Sequence, residues 1–234
     1  MKPWHFRWAR GLIYGGAAIA AVAVAVSARW DEPDLGQALV AARQLFGLWA
    51  LGLLLASMVL GPLTSVFPWI PFKSSLMYGR RAVGVSALMF ALLHVATYLG
   101  SVLRRDWREL YTPGLLWIAG LLLGLIVLSD MITLGVTSRD AAVRKMGGRR
   151  WKKLHQTVYI ALAVVFVHAI FVGADFGVSR GPDVQGEADY GALIGFLCVA
   201  ADWLLLAILR RRRFSWTPKF LSTGPAETTG QETP

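Results

Sequence analysis

Long apolar runs separated by short polar, arginine-rich stretches dominate the chain. Six such runs stand out: Gly11–Ala28, Leu45–Leu63, Ala82–Leu103, Pro113–Leu134, Leu154–Gly173 and Tyr190–Leu209. Each is close to the about 20 residues that carry a helix across about 30 Å of hydrocarbon at 1.5 Å per residue. Only helices satisfy every backbone group there without closing a barrel. Barrel strands would be shorter and would alternate. The pattern predicts an all-α, polytopic membrane protein with a bundle of six transmembrane helices. Residues 1–10 read as an N-terminal stub, 11–209 as the membrane domain, and 210–234 as a basic tail that becomes Thr-, Glu-, Gly- and Pro-rich and reads as disordered.

Composition agrees with this class. Hydrophobic residues make up 56% of the 234 and charged residues only 16%, against about 25% in soluble domains. The net charge of +10 raises the question of nucleic acid, but its placement points to topology instead. With the N-terminus in the cytoplasm, 18 of the 24 basic residues fall on the inner side. They are Lys2, Arg7 and Arg10, then Lys73, Arg80 and Arg81, then seven between Arg139 and Lys153, and finally Arg210 to Arg213 with Lys219. Arg29, Arg43, Arg104, Arg105, Arg108 and Arg180 are assigned to outer loops, the last of which also carries Asp175, Asp183, Glu187 and Asp189. The positive-inside rule places both termini in the cytoplasm, and in a bacterium the membrane is the inner one. The basic charge is thus a topology signal, with contact to anionic lipid of the bilayer as a secondary effect. Trp4, Trp8, Trp69, Trp151 and Trp216 near inner ends, with Trp30 and Trp107 outside, fit interfacial belts. The N-terminus also has the outline of a cleavable signal peptide ending at Ala28. Its apolar stretch of about 18 residues exceeds the usual 7–15 or so, which favours a retained first helix.

Three of the four histidines, His94, His155 and His168, lie within these apolar surroundings. An ionisable side chain there is costly without a partner and marks a functional position. His94 lies 13 residues beyond Arg81, and His168 lies 15 beyond Lys153. Both helices start on the inner side, so the two imidazoles sit at one depth, about 20 Å in. Two neutral imidazoles on neighbouring helices supply the axial ligation of a b-type haem, inside a dry shell of Leu, Val, Phe and Ala. The bland alternative is a pair of hydrogen-bonded packing residues. Zinc fits less well, because neither histidine has a Cys, His or carboxylate at i+3 or i+4. His155 sits beside Lys152 and Lys153 at the inner surface, where simple solvation is an equal alternative. The single cysteine, Cys198, excludes an intramolecular disulfide, and no Cys-x-x-Cys-His motif is present for covalent haem attachment.

The run Gly79-Arg-Arg-Ala-Val-Gly-Val-Ser-Ala-Leu-Met-Phe-Ala-Leu-Leu-His94-Val-Ala-Thr-Tyr98, then Gly148-Arg-Arg-Trp-Lys-Lys-Leu-His155-Gln-Thr-Val-Tyr159 and His168, resembles the ferric reductase-like transmembrane domain. Within that superfamily it is most similar to the haem-binding membrane subunits of bacterial periplasmic methionine sulfoxide reductase systems. The resemblance spans about Leu45 to Leu209. It implies a six-helix bundle carrying haem b, with His94, His155 and His168 at the haem-ligand positions. It also implies electron transfer from quinol or a cytoplasmic flavin reductase to a periplasmic molybdopterin reductase that repairs oxidised methionine. Eukaryotic-type members carry a second histidine about 14 residues before the one matched by His94. Here that position is Arg80.

His155 and His168 are 13 residues apart, about 140° around a straight helix, so both can face the third helix only across a bend or bulge. One haem held by His94 and His168 is therefore the expectation. A second haem, FMN and a quinone stay open, with His155 as a ligand, a propionate contact or part of a quinone or flavin site. Arg80 and Arg81 are candidates to meet haem propionates or a flavin phosphate, with topology anchoring as the equal alternative. Asp130 is expected to orient His155 or to pair with Arg80, and Asp202 also sits at membrane depth. The 25 residues after Leu209 contain no Gly-x-Gly-x-x-Gly and no room for a dinucleotide-binding domain, so electrons are expected from a separate donor. The basic Arg139–Lys153 loop is a candidate docking surface for that donor. The Arg104–Arg108 and Ala174–Asp189 loops are candidates for the outer partner. A stand-alone metal-chelate reductase, and a non-redox transporter or scaffold, remain as alternative classes.

Overall fold

The computed structural model describes residues 4–104, 108, 114–173 and 191–215. These form eight helices: α1 (Trp4–Asp31), α2 (Leu35–Val66), α3 (Lys73–Arg104), α4 (Leu115–Thr137), α5 (Asp140–Met146), α6 (Gly148–His155), α7 (Val158–Val172) and α8 (Gly191–Ser215). No strand occurs among the described residues, so the all-α reading holds. Five segments are long and apolar enough to cross a membrane: Trp8–Asp31, Leu35–Val66, Lys73–Val102, Leu115–Thr137, and Gly148–Val172 across α6 and α7. In α8 the apolar stretch among the described residues is Leu197–Leu209. The acidic Ala174–Asp189 loop, Arg105 and Trp107, and the tail from Trp216 on lie outside the described residues.

Helix α2 begins ten residues before the apolar run that announces it. Asp34 is its N-cap, accepting the Gln37 backbone N–H at 2.9 Å, so the helix starts where an orphan donor is satisfied rather than where hydrophobicity rises. This corrects the assignment of Arg43 to an outer loop. Arg43 lies in the third turn of α2 and is only 8% exposed.

The Arg139–Lys153 stretch, expected as a loop, is also mostly helical. Asp140 opens α5, and Arg144 and Lys145 close it, each charge complementing the helix dipole. Gly147, at φ 77°, then turns the chain into α6. Between α6 and α7, Gln156, Thr157, Tyr159 and Ile160 donate to carbonyls three residues back, at 2.8–3.3 Å. That tightened turn interrupts the helix at the start of the fifth apolar run.

Helix α2 packs on α3, α4 packs on α7, and α1 leans on both α2 and α3. Leu51, Leu54, Leu55 and Met58 of α2 meet Ala87 of α3, Val127 and Met131 of α4, and Ala161 and Leu162 of α7 in the central core. A second cluster joins Val24 and Ala28 of α1 to Ala42, Phe46 and Phe90. Outward faces are apolar too, with Leu12, Ile19, Leu122, Ile126, Ile160 and Leu204 exposed. A surface so continuously apolar suits hydrocarbon rather than water.

Candidate cofactor site

Between the α2–α3 pair and the α4–α7 pair lies a cavity of about 370 Å³. His94 enters it from α3 and His168 from α7, as expected from their matched depths. Their ring centroids are 6.4 Å apart and their planes are 87° apart. Each ring is held by a carbonyl on the helix paired with its own. His94 Nδ1 donates to the Arg43 carbonyl at 2.9 Å, and His168 Nδ1 donates to the Gly120 carbonyl at 2.7 Å. A helical carbonyl has a second lone pair to give. Because a carbonyl only accepts, Nδ1 bears the proton in both rings and Nε2 keeps its lone pair. That is the orienting arrangement expected of metal-ligating histidines.

Glycines make room for the rings. A Cβ on Gly47 would come within 3.0 Å of His94 Nδ1, and one on Gly124 within 2.7 Å of His168 Cε1. A Cβ on Gly120 would collide with Val172 Cγ1. Gly120-Leu-Leu-Leu-Gly124 is thus a small-residue strip that brings α4 and α7 into close contact and leaves a slot for His168.

The donor set fits a haem. With metal–nitrogen bonds of about 2.0 Å and centroids about 1.1 Å behind each nitrogen, two imidazoles on one metal place their centroids about 6.2 Å apart. The observed 6.4 Å matches that separation. Among the described residues no group of three His, Cys, Asp or Glu side chains could hold a bare metal ion. Two nitrogens across a mostly apolar cavity suit a metal whose remaining positions are filled by a macrocycle.

The other expected site residues lie elsewhere. His155 stacks on Trp151, with centroids 4.0 Å apart, and donates through Nδ1 to the Trp151 carbonyl at 3.2 Å. Arg81 lies over the Trp151 ring, 4.9 Å from its centre, and forms an ion pair with Asp140 at 2.7 Å. Arg80 turns to α2, where its Nε donates to the Ser57 carbonyl at 2.6 Å. None of the three lines the His94–His168 cavity. Asp130 neither hydrogen-bonds His155 nor pairs with Arg80. Its Oδ1 accepts from the Thr157 hydroxyl at 2.8 Å, because the tightened turn between α6 and α7 presents Thr157 to α4. Asp202 is exposed on α8.

Residues 46–166 match the family model of the ferric reductase like transmembrane component. The chain belongs to the ferric reductase-like transmembrane family. The matched stretch includes His94 and His155 and ends two residues before His168. Among relatives, the chain is 28% identical over 193 residues to the haem-binding subunit MsrQ of the protein-methionine-sulfoxide reductase of Rhodospirillum rubrum, covering 82% of this chain and 85% of that protein. It is 33% identical over 124 residues to the MsrQ of Brucella ovis, covering 53% of each. It is 30% identical over 146 residues to the magnetosome protein MamZ of Paramagnetospirillum magneticum, covering 58% of this chain and 21% of that protein.

For this ferric reductase-like domain, reading along the chain finds the histidines but misses the groups that seat them. Arg43, Gly47, Gly120 and Gly124 are the additions. The Gly-x-x-x-Gly pattern in an apolar run, and Asp34-x-x-Gln37 as a helix start, are the signals that reveal them.

Proposed function

We propose that the protein is a b-type haem electron-transfer subunit of a bacterial inner membrane, with six spans and cytoplasmic termini. On this reading it passes electrons from quinol or a cytoplasmic flavin donor to a periplasmic molybdopterin reductase that repairs oxidised methionine. The observation that carries the reading is the His94–His168 pair, 6.4 Å apart, with both Nδ1 atoms engaged by backbone carbonyls. Family membership and the names of the two MsrQ relatives support it.

Bound there, haem supplies a one-electron ferric/ferrous couple. The protein's own residues do the rest. His94 and His168 would hold the metal, and the carbonyls of Arg43 and Gly120 fix both tautomers. Leu51, Leu54, Val127 and Met131 exclude water, which limits reorganisation around the metal. The inner cluster of His155, Trp151 and Arg81 is where the donor side begins, with FMN, a quinone or a second haem as its candidate cofactors.

The test is the dithionite-reduced minus oxidised visible spectrum of the detergent-purified protein beside His94→Ala, His168→Ala and His155→Ala. A sharp b-type signal lost in the first two variants and kept in the third supports the reading. A well-folded wild type without haem after haem-supplemented expression rules it out.

A further inference from the structure

The cavity is apolar over most of its wall and charged at one place. Among the described residues that line it, Arg43 is the only one with a permanent charge. It is more than nine-tenths buried within an apolar span. Its Cζ stands 5.5 Å from the centre of the Tyr98 ring, which also lines the cavity, one turn beyond His94. Gln44, next along α2, adds an amide to the same wall. Arg43 lies one turn from Gly47, the residue against which His94 packs, so the cation is at the rim of the ligand pair.

A cavity with an apolar body, two facing imidazoles and a cationic edge fits a flat apolar ligand with an acidic edge. We propose that the Arg43 guanidinium, with the Gln44 amide beside it, anchors the carboxylate side chains of the haem and so sets the haem's rotation within the cavity. This rests on the haem reading above. A guanidinium fork meets a carboxylate through two parallel hydrogen bonds, strengthened where water is excluded. Arg43 is a positioning residue twice over, since its backbone carbonyl also orients His94. Arg80 and Arg81 do not share this task, because they bond to Ser57 and Asp140 away from the cavity.

The experiment titrates the full-length chain, purified in detergent from haem-limited cells, with haem b and with its dimethyl ester, which lacks both negative charges. Wild type should bind haem b on the order of tenfold more tightly than the ester. Arg43→Met should lose that preference by weakening haem b alone, and Arg43→Lys should restore part of it. Equal affinity of wild type for the two ligands overturns the proposal and leaves the haem reading intact. So does an Arg43→Met protein that keeps the preference. If wild type binds neither ligand, the haem reading itself fails and the anchor with it. The wild-type comparison needs no substitution, so a variant that does not fold leaves the proposal open to refutation.

Discussion

His94 and His168 take their orientation from main-chain atoms, which side-chain substitution does not remove. The vulnerable points are the glycines that give the rings space. At Gly124 even one carbon would lie 2.7 Å from the His168 ring, so Gly124→Val must displace His168 or push α4 away from α7. Overpacking of this kind costs about 1–3 kcal/mol. The expected outcome is a folded protein retaining less than half the wild-type haem, read from the ratio of the Soret band to protein absorbance. Gly84→Ala, where nothing lies within 4 Å, should retain wild-type content. The histidine pair was legible in the sequence because hydrocarbon thickness and helical rise convert residue number into depth. The seats were not, because a glycine's purpose depends on which side chain faces it from another helix. Arg43 was misplaced for a different reason: an arginine two residues before an apolar run looks like a flank.

Element boundaries are set by capping and by local turns more than by hydropathy. The Asp34 carboxylate closes the start of α2 outside the apolar run and so carries Arg43 into the bundle. Asp34→Ala should cost about 1 kcal/mol, seen as a lower thermal midpoint of the detergent-solubilised protein. Haem affinity should fall with it, since the first turns of α2 position the Arg43 carbonyl. The interruption between α6 and α7 was anticipated only in part. Spacing alone showed that His155 and His168 cannot share a face of a straight helix. Where His155 would turn instead could not be read, because its neighbours Trp151 and Ser138 become adjacent only once α6 has formed.

The structure has five candidate spans, and the proposed sixth, through α8, would leave the basic segments on one side. Moving Arg43 from an outer loop into α2 sharpens that asymmetry, leaving fewer basic residues on the opposite side. Alkaline phosphatase and green fluorescent protein fused in turn after Pro234 should give fluorescence and no phosphatase activity. The same pair fused within Ala174–Asp189 should give the reverse. Fluorescence from the latter fusion would invert the topology and place the histidine pair near the cytoplasm. Class and approximate architecture were readable because a bilayer imposes one length and one secondary structure on every span. Helix pairing was not, since lipid-facing and helix-facing sides are both apolar.

The 87° between the imidazole planes follows from mounting the two rings on different helix pairs, and on the haem proposal it would have a magnetic consequence. With haem held by both histidines, each ring would donate π density into one iron d orbital, so crossed rings would share their donation between two orbitals and keep them close in energy. A ferric centre in that field would retain orbital angular momentum. Its low-temperature EPR spectrum should be a single, strongly anisotropic low-field feature. The three-line rhombic spectrum of parallel rings would mean that one histidine has turned about its carbonyl bond.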